Sequence, residues 1–180
     1  MTTPARGAAV SPPGRPYGYV GPPEPRQAVV AGTEGEMIRR AAALDAWTAG
    51  QDGEETFTFV VGPDGLPRPA PRRSEHVVCA GGGELLGAGE VTLRRTGGGR
   101  RADEASNQST GYRPDPDPWP AVAPALDRAG VARPGGFTHP LVFRRRERCR
   151  ENDVVREGVF VCVFCDADIP AAWNLGSPPS

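Results

Sequence analysis

Hydrophobic and polar positions alternate along this chain in blocks short enough to be read one at a time. "TEGEMIRRAAALDAWTAG" carries Thr33 and Glu36 in a capping-box pattern, with Met37, Ala41, Leu44 and Trp47 on one helical face and Gly50 at the end. It predicts an amphipathic helix over about 35–49. "ETFTFVV" has the β-branched and aromatic content of a strand, and "GPDG" at 62–65 is a turn. Pro67, Pro69 and Pro71 remove backbone donors, so 66–73 reads as an exposed loop. "EHVVC" and "ELLGAGEVTLRR" read as two further strands, and "TGGGRR" as a turn before "ADEASN", which gives a meander of about four short antiparallel strands.

Downstream the period changes again. Trp119, Val122, Leu126 and Ala129 make an apolar face, with Asp117 and Pro118 at the start, Gly130 at the stop, and Pro124 as a flaw that predicts a short or kinked helix. "THPLVFRR" and "GVFVCVF" then predict a C-terminal strand pair that carries three cysteines. The fold class expected is α+β: a small antiparallel sheet, two helices and a C-terminal zinc-ribbon-like hairpin over 139–170. This single domain, 32–175, follows a tail at 1–31 so rich in Pro, Gly, Ala and Arg that it cannot repay the entropy of ordering and is expected to be disordered.

Composition sharpens this in three ways. With 180 residues, 24 glycines and 21 prolines, the chain suffices for one domain but is lean in core-forming residues. All 21 basic residues are arginine, as GC-rich codon usage produces, and the net charge of -1 opposes a surface built wholly to hold nucleic acid or acidic membrane. The sequence has no apolar run of about 20 residues. No signal-type N-terminus is visible, so a cytoplasmic protein is expected, in which thiols serve more readily as metal ligands than as disulfides.

Candidate chemistry lies in three places. Cys162 and Cys165 form a Cys-x-x-Cys pair, and Cys149 stands alone upstream with 12 residues between it and Cys162, across a turn at 156–158. Two such pairs facing each other across a hairpin put four thiolates at tetrahedral distance from zinc; here the residue three before Cys149 is Arg146, which cannot ligate. Cys149, Cys162 and Cys165 are therefore candidate ligands, with His139, Asp166, Cys79 or water as sources of a fourth. The alternatives are a decayed ribbon whose thiols pack as small hydrophobes and a Cys162–Cys165 redox pair. "SNQSTGY" sets hydrogen-bonding side chains between a strand and a helix, so Asn107, Ser109 and Tyr112 are candidate ligand-binding or catalytic-loop residues; side-chain turns with Tyr112 as a core anchor explain the same pattern structurally. "RRRERCR" at 144–150 has five arginines and one glutamate, so Arg144, Arg145 and Arg148 are candidate nucleic-acid contacts, or members of a solvated, ion-paired face.

Taken in order, "NQSTGY", the Trp119–Asp127 helix, "GGFT", "VFRR" and "PAAWN" resemble a family of uncharacterised small bacterial proteins, over about residues 76–174. The resemblance implies a C-terminal zinc ribbon with both Cys-x-x-Cys pairs, whose first cysteine falls on Arg146, and a further cysteine where this chain has Arg113. The family has no named activity. The function expected is thus a non-enzymatic cytoplasmic protein that binds a protein partner through a degenerate zinc-ribbon element. A nucleic-acid module using the arginine run, and an enzyme using 106–112, are the alternatives.

Overall fold

The computed structural model describes residues 14–53 and 55–176. Along the chain these form α1 (Pro23–Gln27), α2 (Ala41–Ala49), β1 (Thr56–Val61), β2 (Pro67–Pro71), α3 (His76–Cys79), β3 (Gly87–Thr96), β4 (Gly99–Ala105), α4 (Trp119–Arg128), β5 (Val131–Ala132), β6 (Val142–Arg145) and β7 (Asn152–Val155). Five strands make one sheet in the order β2-β1-β3-β4-β5, and β6 with β7 makes a separate antiparallel pair. The fold is α+β, as the sequence predicts. The sheet is antiparallel through β4 and mixed only because β5 pairs in parallel with Arg100 and Arg101.

Strand alternation sorts the core into two layers, because successive side chains of a strand leave on opposite faces. Phe57, Phe59, Val61, Val91 and Leu93 meet Leu44 of α2 and Val122 and Leu126 of α4 on one face. Val60 and Ala88 meet Tyr17, Val77 of α3 and Tyr112 on the other. Burying a side chain of this size contributes about 1.5–3 kcal/mol, so sheet pairing and the two helix faces are selected together. The chain leaves α4 through Gly130, whose φ of +70° suits the residue after a helix terminus and whose N–H donates to the Asp127 carbonyl. The exposed position of Pro124 lets α4 tolerate it, since its ring and the carbonyl it strands face water.

Several boundaries differ from the sequence-based expectation. The helix begins at Ala41 rather than near 35, with Arg40 at its N-cap and no side-chain cap. Ile38 instead buries completely and donates its N–H to the Pro67 carbonyl (2.9 Å), which pulls 35–40 across the outer side of β2 and leaves Met37 exposed. Residues 67–71 are not a loop but the edge strand β2. Pro67, Pro69 and Pro71 all occupy the same phase, opposite Val61, Phe59 and Phe57, so every missing N–H lies on the side that has no ladder partner. "HVVC" is the short helix α3 rather than a strand, because that turn places Val77 and Cys79 together on the sheet; packing overrides the β preference of valine.

The N-terminal expectation is corrected over 14–31. Tyr17 is buried, exchanges backbone hydrogen bonds with Leu85, and meets Trp173 edge to face, and Tyr19 packs the same way on Tyr112. These two aromatics supply the burial that composition alone did not suggest. The remainder of the expected tail, residues 1–13, lies outside the described residues. At the other end, the partner of "VFRR" is Asn152–Val155, not "VFVCVF"; the latter runs as a turn-rich segment with a single bridge from Val161 to Asp168.

Candidate metal centre

Two turns of the same construction face each other at the C-terminal end. In the first, the Arg146 N–H donates to the Glu151 carbonyl (2.8 Å) and the Arg150 N–H to the Arg146 carbonyl (2.7 Å). In the second, the Cys162 N–H donates to the Ala167 carbonyl (2.9 Å) and the Asp166 N–H to the Cys162 carbonyl (2.9 Å). The fifth residue of each turn, Arg150 or Asp166, has a left-handed backbone with φ of +59° and +52°. Position by position, Cys165 answers to Cys149 and Cys162 answers to Arg146. The hairpin therefore builds two equal cradles, each with two inward positions, and fills three of the four with thiols.

Among the described residues, Cys149, Cys162 and Cys165 bring their Sγ atoms within 4.8 Å of one another and could hold a metal ion. The Cys149 thiol lies against the Cys165 sulfur at 3.1 Å, Cys162 is fully buried, and the other two are half-buried. His139, Asp166 and Cys79 do not join this group. Val155 and Ile169 pack beneath it with Cys162. The donor set fits a thiophilic cation at three corners of a tetrahedron, and the fourth corner is where the chain carries Arg146.

Arg146 is not a stray surface arginine. It is 8% exposed, its guanidinium pairs with Asp153 of β7 at 2.8 Å, and Nη1 reaches the Cys162 sulfur at 3.7 Å. The Phe164 ring lies 5.0 Å from the guanidinium carbon, within cation–π range. The cation thus stands beside the sulfur of the cysteine to which it corresponds. The backbone N–H of Phe164, foremost, draws the Cys162 thiol down to about 7, while the hydrogen bond to Cys165 pushes the Cys149 thiol up to about 11.

The tip of the second turn is apolar. Val163 is 81% exposed and Phe164 is 78% exposed, and Val159 and Val161 are exposed beside them. Sequence reading placed these residues in a strand. For Val163 and Phe164, the position between two cysteines of a tight turn is the signal that would have placed them at a tip.

The polar loop is corrected to a structural role. The buried Asn107 side chain donates to the carbonyls of Pro114 (2.8 Å) and Leu141 (2.7 Å) and accepts from the Leu141 N–H (2.7 Å). Ser109 is buried and accepts from the Tyr112 N–H, and the Tyr112 hydroxyl donates to the Gly83 carbonyl at 2.7 Å. All three are spent on backbone, so they do not converge on a ligand. The loop also crosses β3 at Gly89, where a β-carbon would sit 1.9 Å from the Ser106 carbonyl oxygen. Only glycine allows that approach.

The arginine run is also divided. Arg144 is buried, bridges to Asp115 at 2.9 Å, and donates to the Ala171 carbonyl, so it is part of the interior rather than a phosphate contact. The backbone of Arg145 is held on both its N–H and its carbonyl by the Asn174 amide, and Arg148 is exposed. Burial of Arg144 breaks up the proposed trio. Sequence reading missed its partner because Asp115 lies 29 positions away, across α4.

Compared with known proteins, the chain matches no family model, none of the curated proteins and no solved structure. No helix among the described residues is long and apolar enough to cross a membrane.

Proposed function

We propose that this is a non-enzymatic, cytoplasmic bacterial protein that works by binding a protein partner through the tip of its C-terminal hairpin. In this reading the three thiols hold a zinc ion that keeps the tip rigid. The carrying observation is the joint placement of the thiol group and the apolar tip: Val163 and Phe164 lie between Cys162 and Cys165, so whatever fixes those sulfurs also fixes the exposed pair. Contiguous exposed apolar side chains at a defined position mark contact surfaces more often than chance exposure does.

Three thiolates and a dication carry a net single negative charge, which a neighbouring guanidinium offsets, and Asp153 holds Arg146 on the other side. The fourth zinc ligand in this reading is water. The resemblance to proteins with a complete ribbon supports the same assignment. A metal-free hairpin, with Arg146 as the permanent occupant of the fourth corner, is the second reading, and the burial of that side chain favours it.

Photo-crosslinking tests the contact surface. A benzophenone amino acid at position 163 is expected to give a discrete protein adduct in bacterial cytosol, lost when Cys162→Ser is added, whereas the same probe at Arg95 gives none. Identical patterns from the two positions would contradict the assignment.

A further inference from the structure

Arg113 is the most anomalous cation among the described residues. Its backbone is left-handed, with φ of +47°, and is fastened at both ends: its N–H donates to the Ser109 carbonyl (2.8 Å) and its carbonyl accepts from the Trp173 indole N–H (2.8 Å). A side chain launched from such an anchored position has little freedom to seek another partner. Its Nη1 atom is nevertheless buried without a hydrogen-bond partner, and it holds that distinction among the described residues. A buried charged donor left unmade is costly, which marks a place where a ligand atom belongs.

The surroundings indicate the ligand. Arg113 lines a concavity with Thr110, Phe143, Asn152, Asp153 and Arg156. Burial, first, and the charge of Arg145, second, both oppose the protonated state of Arg113, so like charges are gathered here. Asp153 is the one anion on the lining, and its carboxylate already serves Arg146 on the far side. Two guanidinium groups, a hydroxyl and an amide offer more donors than the two oxygens of a carboxylate can accept, whereas a phosphoryl group presents three or four.

We infer that this concavity, between the polar loop and β7, is a binding site for a phosphoryl group, held by Arg113 and Arg156 with Thr110 and Asn152 as additional donors. It adjoins the thiol hairpin through Asp153 but uses none of its cysteines. It also gives Arg113 a purpose that packing does not.

Calorimetric titration of the full chain at low chloride, with inorganic phosphate and with glycerol 2-phosphate as probes and acetate as the control, tests this directly. Binding of either phosphate probe is expected, weakened about tenfold or more in Arg113→Ala and in Arg156→Ala, since each removes charge-assisted hydrogen bonds to the phosphoryl oxygens. Arg156 is exposed, so its variant folds whether or not that of Arg113 does. Absence of binding of both phosphates to the unmutated chain, undiminished binding in Arg156→Ala, or acetate binding as tight as phosphate would each overturn the assignment.

Discussion

At the scale of single residues, burial decides which polar groups can act. His76 packs against the sheet with Nε2 at 3.1 Å from the Gly89 carbonyl, and burial lowers its pKa below the usual 6.5, outweighing the Gly89 contact and the nearby Glu75. The unfolded chain therefore takes up a proton near pH 6.5 that the folded chain still refuses. Stability from this group is complete above that pH and declines as pH falls through the interval down to the folded pKa. Urea unfolding at pH 7.5 and 5.5 is expected to show a loss on acidification that shrinks in His76→Gln; an equal loss in both would contradict the assignment. Cys79, buried and pushed up to about 11, is by the same reasoning an inert thiol.

At the scale of elements, the polar loop is a clasp. Asn107 ties the end of β4 to Leu141, just ahead of β6, and so joins the main sheet to the C-terminal hairpin through two side-chain hydrogen bonds to the Leu141 backbone, with a third to the Pro114 carbonyl. Asn107→Ala would leave buried carbonyls unpaired and is expected to cost about 2–4 kcal/mol, against about 0.5 kcal/mol or less for the exposed Arg148→Ala. Equal destabilisation, measured as a shift in denaturant midpoint, would contradict the clasp. This is also where sequence reading was strongest and weakest. The β-branched and aromatic content of β1 and the Val122, Leu126 and Ala129 face of α4 were legible because local pattern and burial agree there. β2 was not, since proline reports only a missing donor and not which side of the strand it faces. α3 was not, because the choice between strand and helix for "HVVC" is made by a sheet that lies elsewhere in the sequence. The role of Asn107 was undetermined for the same reason: its partners at Pro114 and Leu141 are fixed only by tertiary structure.

At the scale of the whole molecule, the two-layer sheet domain carries a small hairpin whose construction is more symmetric than its chemistry. The cysteine spacing was enough to foresee Cys149, Cys162 and Cys165 in one group, though not that "VFRR" pairs with Asn152–Val155 rather than with "VFVCVF". What the spacing could not foresee is that Arg146 would turn inward, pair with Asp153 and stand beside the Cys162 sulfur, because register across β6 and β7 sets that geometry. The proposed account rests on three thiols holding zinc while Arg146 stands where a fourth ligand belongs. Zinc stoichiometry and competition affinity of the unmutated chain beside Arg146→Cys measure this most directly. The expected result is about one zinc per chain, lost in Cys162→Ser, with Arg146→Cys binding at least tenfold more tightly as a fourth thiolate completes the tetrahedron. A chain that purifies without zinc, or an Arg146→Cys variant with unchanged affinity, would contradict it.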